Sequence, residues 1–110
     1  MNESDTLCRM KVEILKALAS PTRLRIAELL RDRELCVNDI VNALGVERTS
    51  VSKHLALLQR AVILDSRREG VTIYYRLKCS CIVNMFACME DVLREQARSK
   101  APALRKLAVR

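Results

Sequence analysis

Three of the five cysteines fall close together, Cys79, Cys81 and Cys88. Thiolates are the ligands that soft ions prefer: trivalent arsenic or antimony, Cd(II) and Pb(II). The Cys79-Ser80-Cys81 pair can place two sulfurs on one ion, with Cys88 following seven residues after Cys81. The alternative is structural, because reduced cysteine often serves as a small buried hydrophobe. Cys36 and Cys8 are secondary candidates. Cys36 opens a helical stretch, so the positive end of that helix dipole faces its sulfur. An odd count of five cysteines, without a Cys-x-x-Cys motif or a leader layout in MNESDTLCRMK, disfavours a disulfide framework. Reduced thiols that hold a soft ion or undergo redox chemistry are the expectation.

A second set of residues is built to donate hydrogen bonds. In RTSVSKHLALL (48–58) Val51, Leu55 and Leu58 recur at i, i+4 and i+7, the spacing of one helix face. The rest of the segment offers Arg48, Thr49, Ser50, Ser52 and Lys53, donors of little bulk. His54 follows Lys53, and a phosphate contact or a structural hydrogen bond is its expected role. Downstream, Val71, Ile73, Tyr75 and Leu77 alternate with Thr72, Tyr74, Arg76 and Lys78, the period of a strand. With the run 63–67 and the turn Arg68-Glu69-Gly70 this makes a hairpin with a basic tip, Arg67 and Arg68. A donor-rich helix ahead of a basic hairpin suits double-stranded DNA: the helix enters the major groove and the hairpin follows the phosphates.

The elements that must position these groups are mostly helical. A first helix is expected over residues 5–19, with Leu7, Met10, Ile14 and Leu18 in one stripe. Ser20-Pro21 restarts the chain as N-cap and first helical residue of a second helix running to about Arg31. A third spans 37–44 and stops at Gly45, and the fourth covers about 48–60. Hairpin 63–78 follows, then a long helix from Ser80 to about Ser99 with Ile82, Met85, Phe86, Met89, Val92 and Leu93 along one stripe. The pattern predicts a mainly α fold with a two-stranded β-hairpin, a winged helix-turn-helix: four helices, the hairpin, then a fifth helix. One small core cannot cover the stripes of both terminal helices. A homodimer is expected, joined through Leu7, Met10, Ile82, Met85, Phe86 and Met89, with its two reading helices about one DNA turn apart.

Size and charge agree. A chain of 110 residues is expected to form one domain over 1–99, followed by a basic, flexible tail at 100–110. The net charge is +7, but residues 94–110 hold six basic groups against one acid. Segment 47–78 carries seven basic and three acidic groups, so the candidate reading unit is itself basic. No apolar run approaches the roughly 20 residues of a membrane span. A soluble, cytoplasmic protein without a membrane partner is expected.

With these residues in view, the chain resembles the ArsR/SmtB family of metal-responsive bacterial repressors. LKALASPTRLRIAELL (15–30) is similar to the family's second-helix signature, and ELCVNDI (34–40) to the ELCVCDL box of its arsenic and cadmium sensors. SVSKHLALL (50–58) resembles the recognition helix and RREGVTIYYRL (67–77) the wing. The order and spacing of the four segments make the resemblance specific. Three departures stand out. Asn38 replaces the second cysteine of the arsenic box. Val62 stands where relatives usually carry Gly, so that turn must differ or be strained. The last helix has Glu90 and Asp91 but none of the histidines of the zinc sensors.

The resemblance implies a DNA-binding transcriptional repressor and not an enzyme. It would release its operator when arsenite, antimonite or a similar soft ion binds its cysteines. Cys79, Cys81 and Cys88 look like the arrangement of arsenic sensors with thiols near the last helix, and Cys8 with Cys36 is similar to the cadmium and lead arrangement. The alternative is a repressor of the same fold whose thiols sense oxidants or persulfide.

Overall fold

The computed structural model describes residues 2–99; the basic tail expected at 100–110 lies outside the described residues. Along the chain run α1 (Glu3–Leu18), α2 (Pro21–Leu29), β1 (Leu35–Cys36), α3 (Val37–Leu44), α4 (Arg48–Arg60), β2 (Leu64–Glu69), β3 (Thr72–Leu77) and α5 (Cys81–Ser99). The chain divides after Cys79 into two compact units.

In the first unit, local chemistry sets the helix limits. Asn2 Oδ1 accepts from Asp5 N at 2.9 Å at the head of α1, and Ser20 Oγ accepts from Arg23 N at 3.3 Å at the head of α2. Gly45 ends α3 in the left-handed region, φ +66°, its N–H bonding Val41 O at 2.8 Å. Ile26, Ala27 and Leu30, Ile40 and Leu44, and Val51, Leu55 and Leu58 build the core, with Ile63 and Leu64 from the wing side. The apolar period of α4 thus marks its buried face.

The turn after α4 is a Schellman motif. Ile63 N bonds Leu58 O and Val62 N bonds Gln59 O, each at 3.0 Å, while Val62 adopts φ +63°. The strained alternative expected at Val62 is the one realised: a β-branched residue occupies a conformation that suits glycine. Leu58 and Ile63, the residues such a motif brings together, are both buried.

The sheet differs from the expected two-stranded hairpin. It has three antiparallel strands in the order β1-β3-β2, because Leu35 and Cys36 pair with Tyr75 and Tyr74. Two residues are too short to show a period, so β1 was hidden in the sequence. In the hairpin Glu69 faces Thr72, leaving Gly70 and Val71 as a two-residue turn. Gly70 takes φ +63°, a value that two-residue hairpin turns ask of their first residue. Val71 sits at the tip, 94% exposed, and Ile73 is exposed too, so the expected apolar alternation does not divide buried from exposed here. β3 is the central strand, and Thr72, Tyr74, Tyr75 and Leu77 are all half-buried.

Helix α1 exposes Leu7, Met10, Ile14 and Leu15 among its charged residues, and buries Ala17 and Leu18. In the second unit, α5 carries Asp91–Arg94 and Glu95–Arg98 ion pairs one turn apart. Of its four expected dimer residues, Ile82 and Phe86 are buried in the single chain, Met85 is half-buried, and Met89 is exposed. The apolar residues that α5 exposes are Met89, Val92 and Leu93. The apolar period marked the whole stripe, but period alone does not tell which part a chain covers by itself.

Candidate nucleic-acid interface

Burial of Val51, Leu55 and Leu58 turns the donor-bearing face of α4 outward. Arg48, Thr49, Ser52 and Lys53 are exposed and Ser50 is half-buried. Lys53 makes no ion pair among the described residues, so its ammonium is available to a phosphate. Arg48 Nη1 donates to Asn38 Oδ1, so the residue that breaks the cysteine box orients an arginine at the head of α4.

His54 takes the structural role. Its Nδ1 lies 3.3 Å from Arg23 Nη1, and Arg23 also donates through Nε to Ala17 O at 2.6 Å and through Nη2 to Lys16 O at 3.3 Å. One guanidinium therefore ties the end of α1 and the start of α2 to α4. The partners are 31 positions apart, so no local pattern could have revealed the link.

The two wing arginines, expected to act alike, are unlike. Arg67 is already engaged: its Nε is 2.9 Å from Glu34 Oε1, its Nη1 is 2.7 Å from Glu69 Oε2, and its guanidinium stands 4.8 Å from the Tyr74 ring centre. The bonds to Glu69 and then to Glu34 hold its pKa above the ordinary arginine value. Two carboxylates beside it, Glu34 and Glu69, offset the Arg67 charge, so a phosphate would have to compete with them for this guanidinium. Arg68 is exposed, donates to Gly70 O at 3.2 Å, and makes no ion pair among the described residues.

Two further contacts brace the wing. Gln59 Nε2 donates to Ser66 Oγ at 2.9 Å, joining α4 to β2. Arg76 Nη2 donates to Asp65 Oδ2 at 3.0 Å across the β2–β3 pair. That bond first, and the Ser66 N–H second, hold the Asp65 carboxyl below its ordinary range.

The thiols lie elsewhere. Cys8, Cys79, Cys81 and Cys88 are exposed and Cys36 is half-buried. Cys36 is the N-cap of α3 as well as a strand residue; Asp39 Oδ2 accepts from its N at 3.3 Å and from its Sγ at 3.2 Å. Cys79 precedes α5, and Cys81 and Cys88 lie on it. In one regular helix their seven-residue separation is about 10 Å along the axis. Two sulfurs on one ion, with bonds of about 2.3 Å, can be no more than roughly 4.6 Å apart. These donors have the right chemistry for a soft ion, but among the described residues no three His, Cys, Asp or Glu side chains come together as a metal site. No helix among the described residues is long and apolar enough to cross a membrane.

Residues 20–66 match the profile described as bacterial regulatory protein, arsR family. An uncharacterised helix-turn-helix transcriptional regulator of Mycobacterium tuberculosis is 32% identical over 106 residues, spanning 96% of this chain and 93% of that one. The arsenic resistance transcriptional regulator ArsR1 of Pseudomonas putida is 45% identical over 65 residues, 58% of this chain and 51% of its own. Among solved structures, a homodimeric winged helix-turn-helix DNA-binding domain from Mycobacterium bovis superposes with a TM-score of 0.78 at 30% identity. It covers 91% of this chain and 93% of that one.

Proposed function

Because the chain belongs to the arsR family of bacterial regulatory proteins, which are transcriptional regulators and not enzymes, we propose that it is a homodimeric repressor of soft metalloid resistance. It holds duplex operator DNA through α4 and the wing. It leaves the operator when arsenite, antimonite or a similar ion such as Cd(II) or Pb(II) meets the thiols of Cys79, Cys81 and Cys88.

The observation that carries the DNA half is the geometry of α4. Its apolar face is fully used in the core, and the opposite face presents Thr49, Ser52 and Lys53 to solvent beside Arg48. Ser50, half-buried, completes the reading set, and Arg68 supplies the wing's phosphate contact. His54 and Arg67 hold the reading helix and the wing in place through Arg23 and through Glu34 and Glu69. The second copy is met through exposed Leu7 and Met10 of α1 and, on α5, through exposed Met89, half-buried Met85 and buried Ile82 and Phe86. The M. bovis neighbour's homodimeric state supports this reading.

The effector half rests on the class of the donors and on their place beside α5. The spacing of Cys81 and Cys88 requires one of two solutions. Either the start of α5 unwinds to let Cys79 and Cys81 reach Cys88, or Cys88 comes from the second copy. Both link ion binding to the joint between wing and last helix. Cys36 and Cys8 remain the secondary ligand candidates, with Asp39 already on the Cys36 sulfur.

A second reading keeps the repressor and changes the signal to an oxidant or persulfide. The exposure of Cys8, Cys79, Cys81 and Cys88 supports it, because a redox-sensing thiol has to meet its oxidant in solvent. Titrating As(III), Cd(II), Zn(II) and peroxide into the protein–duplex complex tests the two. Release by As(III) that a competing dithiol reverses supports the first, and release by peroxide alone supports the second.

A further inference from the structure

The space between the wing and the head of α4 has two kinds of wall. It is a groove of about 360 Å³, lined by Cys36, Val37, Asn38 and Arg48 and, from the wing, by Val71, Thr72 and Ile73. Arg48 brings a cation that makes no ion pair among the described residues. Its one side-chain partner is the neutral Asn38 Oδ1, which orients the guanidinium without cancelling its charge. A guanidinium has five N–H donors, so four remain. The facing wall is apolar and wet: Val71 is 94% and Ile73 40% exposed. An isolated wing has no structural use for a bare valine at its tip.

A duplex backbone strand has this same pair of chemistries, anionic phosphate oxygens and apolar deoxyribose carbons. It is also the object that separates the major groove from the minor. A body that puts a helix into one groove and a hairpin tip beside the other must straddle one strand. We propose that this groove seats one sugar–phosphate strand of duplex DNA. Arg48 bonds a phosphate, the Thr72 hydroxyl is a second donor, and Val71 and Ile73 pack on deoxyribose. Asn38 is a positioning residue: it aims Arg48 and touches no DNA. The seat rests on the reading of the chain as a duplex-binding regulator and adds to it where the backbone runs.

The test is the salt dependence of affinity of the full chain for a labelled mixed-sequence duplex, with melting temperature measured in parallel. Arg48→Ala removes one phosphate contact, so the slope of log K against log salt should fall by about one unit. Asn38→Asp places a carboxylate on Arg48 and cancels its charge. It should also lower the slope by about one unit without lowering the melting temperature. A merely structural Asn38 would show the reverse, a lower melting temperature and an unchanged slope. Val71→Glu should weaken binding several-fold and Val71→Thr should stay near wild type. A wild type that binds duplex while Arg48→Ala and Asn38→Asp keep its slope overturns the seat alone. A wild type without salt-dependent duplex affinity overturns the DNA-binding reading and the seat with it.

Discussion

Arg23 Nη1 points at His54 Nδ1 across 3.3 Å. A guanidinium has no lone pair to offer, so the imidazole must accept there, which places its proton on Nε2. The histidine of the reading helix is thus fastened to the α1–α2 turn.

This makes His54 a stability residue before a DNA residue. His54→Leu should cost about 1–2 kcal/mol, the worth of a hydrogen bond to a charged group that is partly screened. His54→Asn, with Oδ1 in place of Nδ1, should recover most of that in urea unfolding. The salt slope of duplex binding should stay at the wild-type value in both. A His54→Leu chain of full stability with a slope lower by one unit would return the residue to the phosphates.

Val62 is strained by its left-handed backbone, φ +63°, and is exposed, so its side chain gives little burial in return. The left-handed conformation costs an L-residue about 1–2 kcal/mol. Glycine brings roughly 0.4–1 kcal/mol of extra chain entropy when unfolded. Val62→Gly should therefore stabilise the protein by about 0.5–1 kcal/mol in denaturant unfolding. Destabilisation would mean that the Schellman turn is held by the valine itself.

The wing arginines should separate in one experiment. Arg68→Ala should lower the salt slope of duplex binding by about one unit, because its charge is unpaired. Arg67→Ala should leave that slope alone and shift the unfolding midpoint little, since its ion pairs are exposed. Equal slope losses in both would show that DNA draws Arg67 away from Glu34 and Glu69.

How much of this was legible is clearest at particular residues. The limits of α3 and α4 and the buried set Val51, Leu55 and Leu58 follow from the apolar period and from Gly45, and the structure agrees on each. The hairpin was legible because its strands are six residues each; β1, with two, was not. Within the site, the sequence marked the donor face of α4, since that face is what the apolar period leaves over. It could not assign partners to Arg23, Arg67 or Arg48, whose contacts join residues 31, 33 and 10 positions apart. Such pairs depend on tertiary packing. For the same reason it could not separate the part of α5 that the chain buries from the part it leaves exposed.

The exposed apolar residues of α1 give a direct test of assembly. Met10 is 60% exposed, so Met10→Asp should leave the melting temperature of an isolated chain nearly unchanged. In sedimentation it should shift a dimer to a monomer and lower affinity for a two-fold duplex. A wild type that sediments as a monomer and still holds such a duplex tightly would contradict the dimer.

The central claim is that the thiols beside α5 carry the signal, and the most direct measurement is As(III)-driven release from labelled operator duplex by anisotropy. Wild type should bind and then release as As(III) is added, with a dithiol restoring the complex. Cys79→Ser, Cys81→Ser and Cys88→Ser should each bind duplex as wild type does and fail to release. If these three release normally, and only Cys36→Ser or Cys8→Ser abolishes the response, the signal is read beside the helix-turn-helix and the account is contradicted.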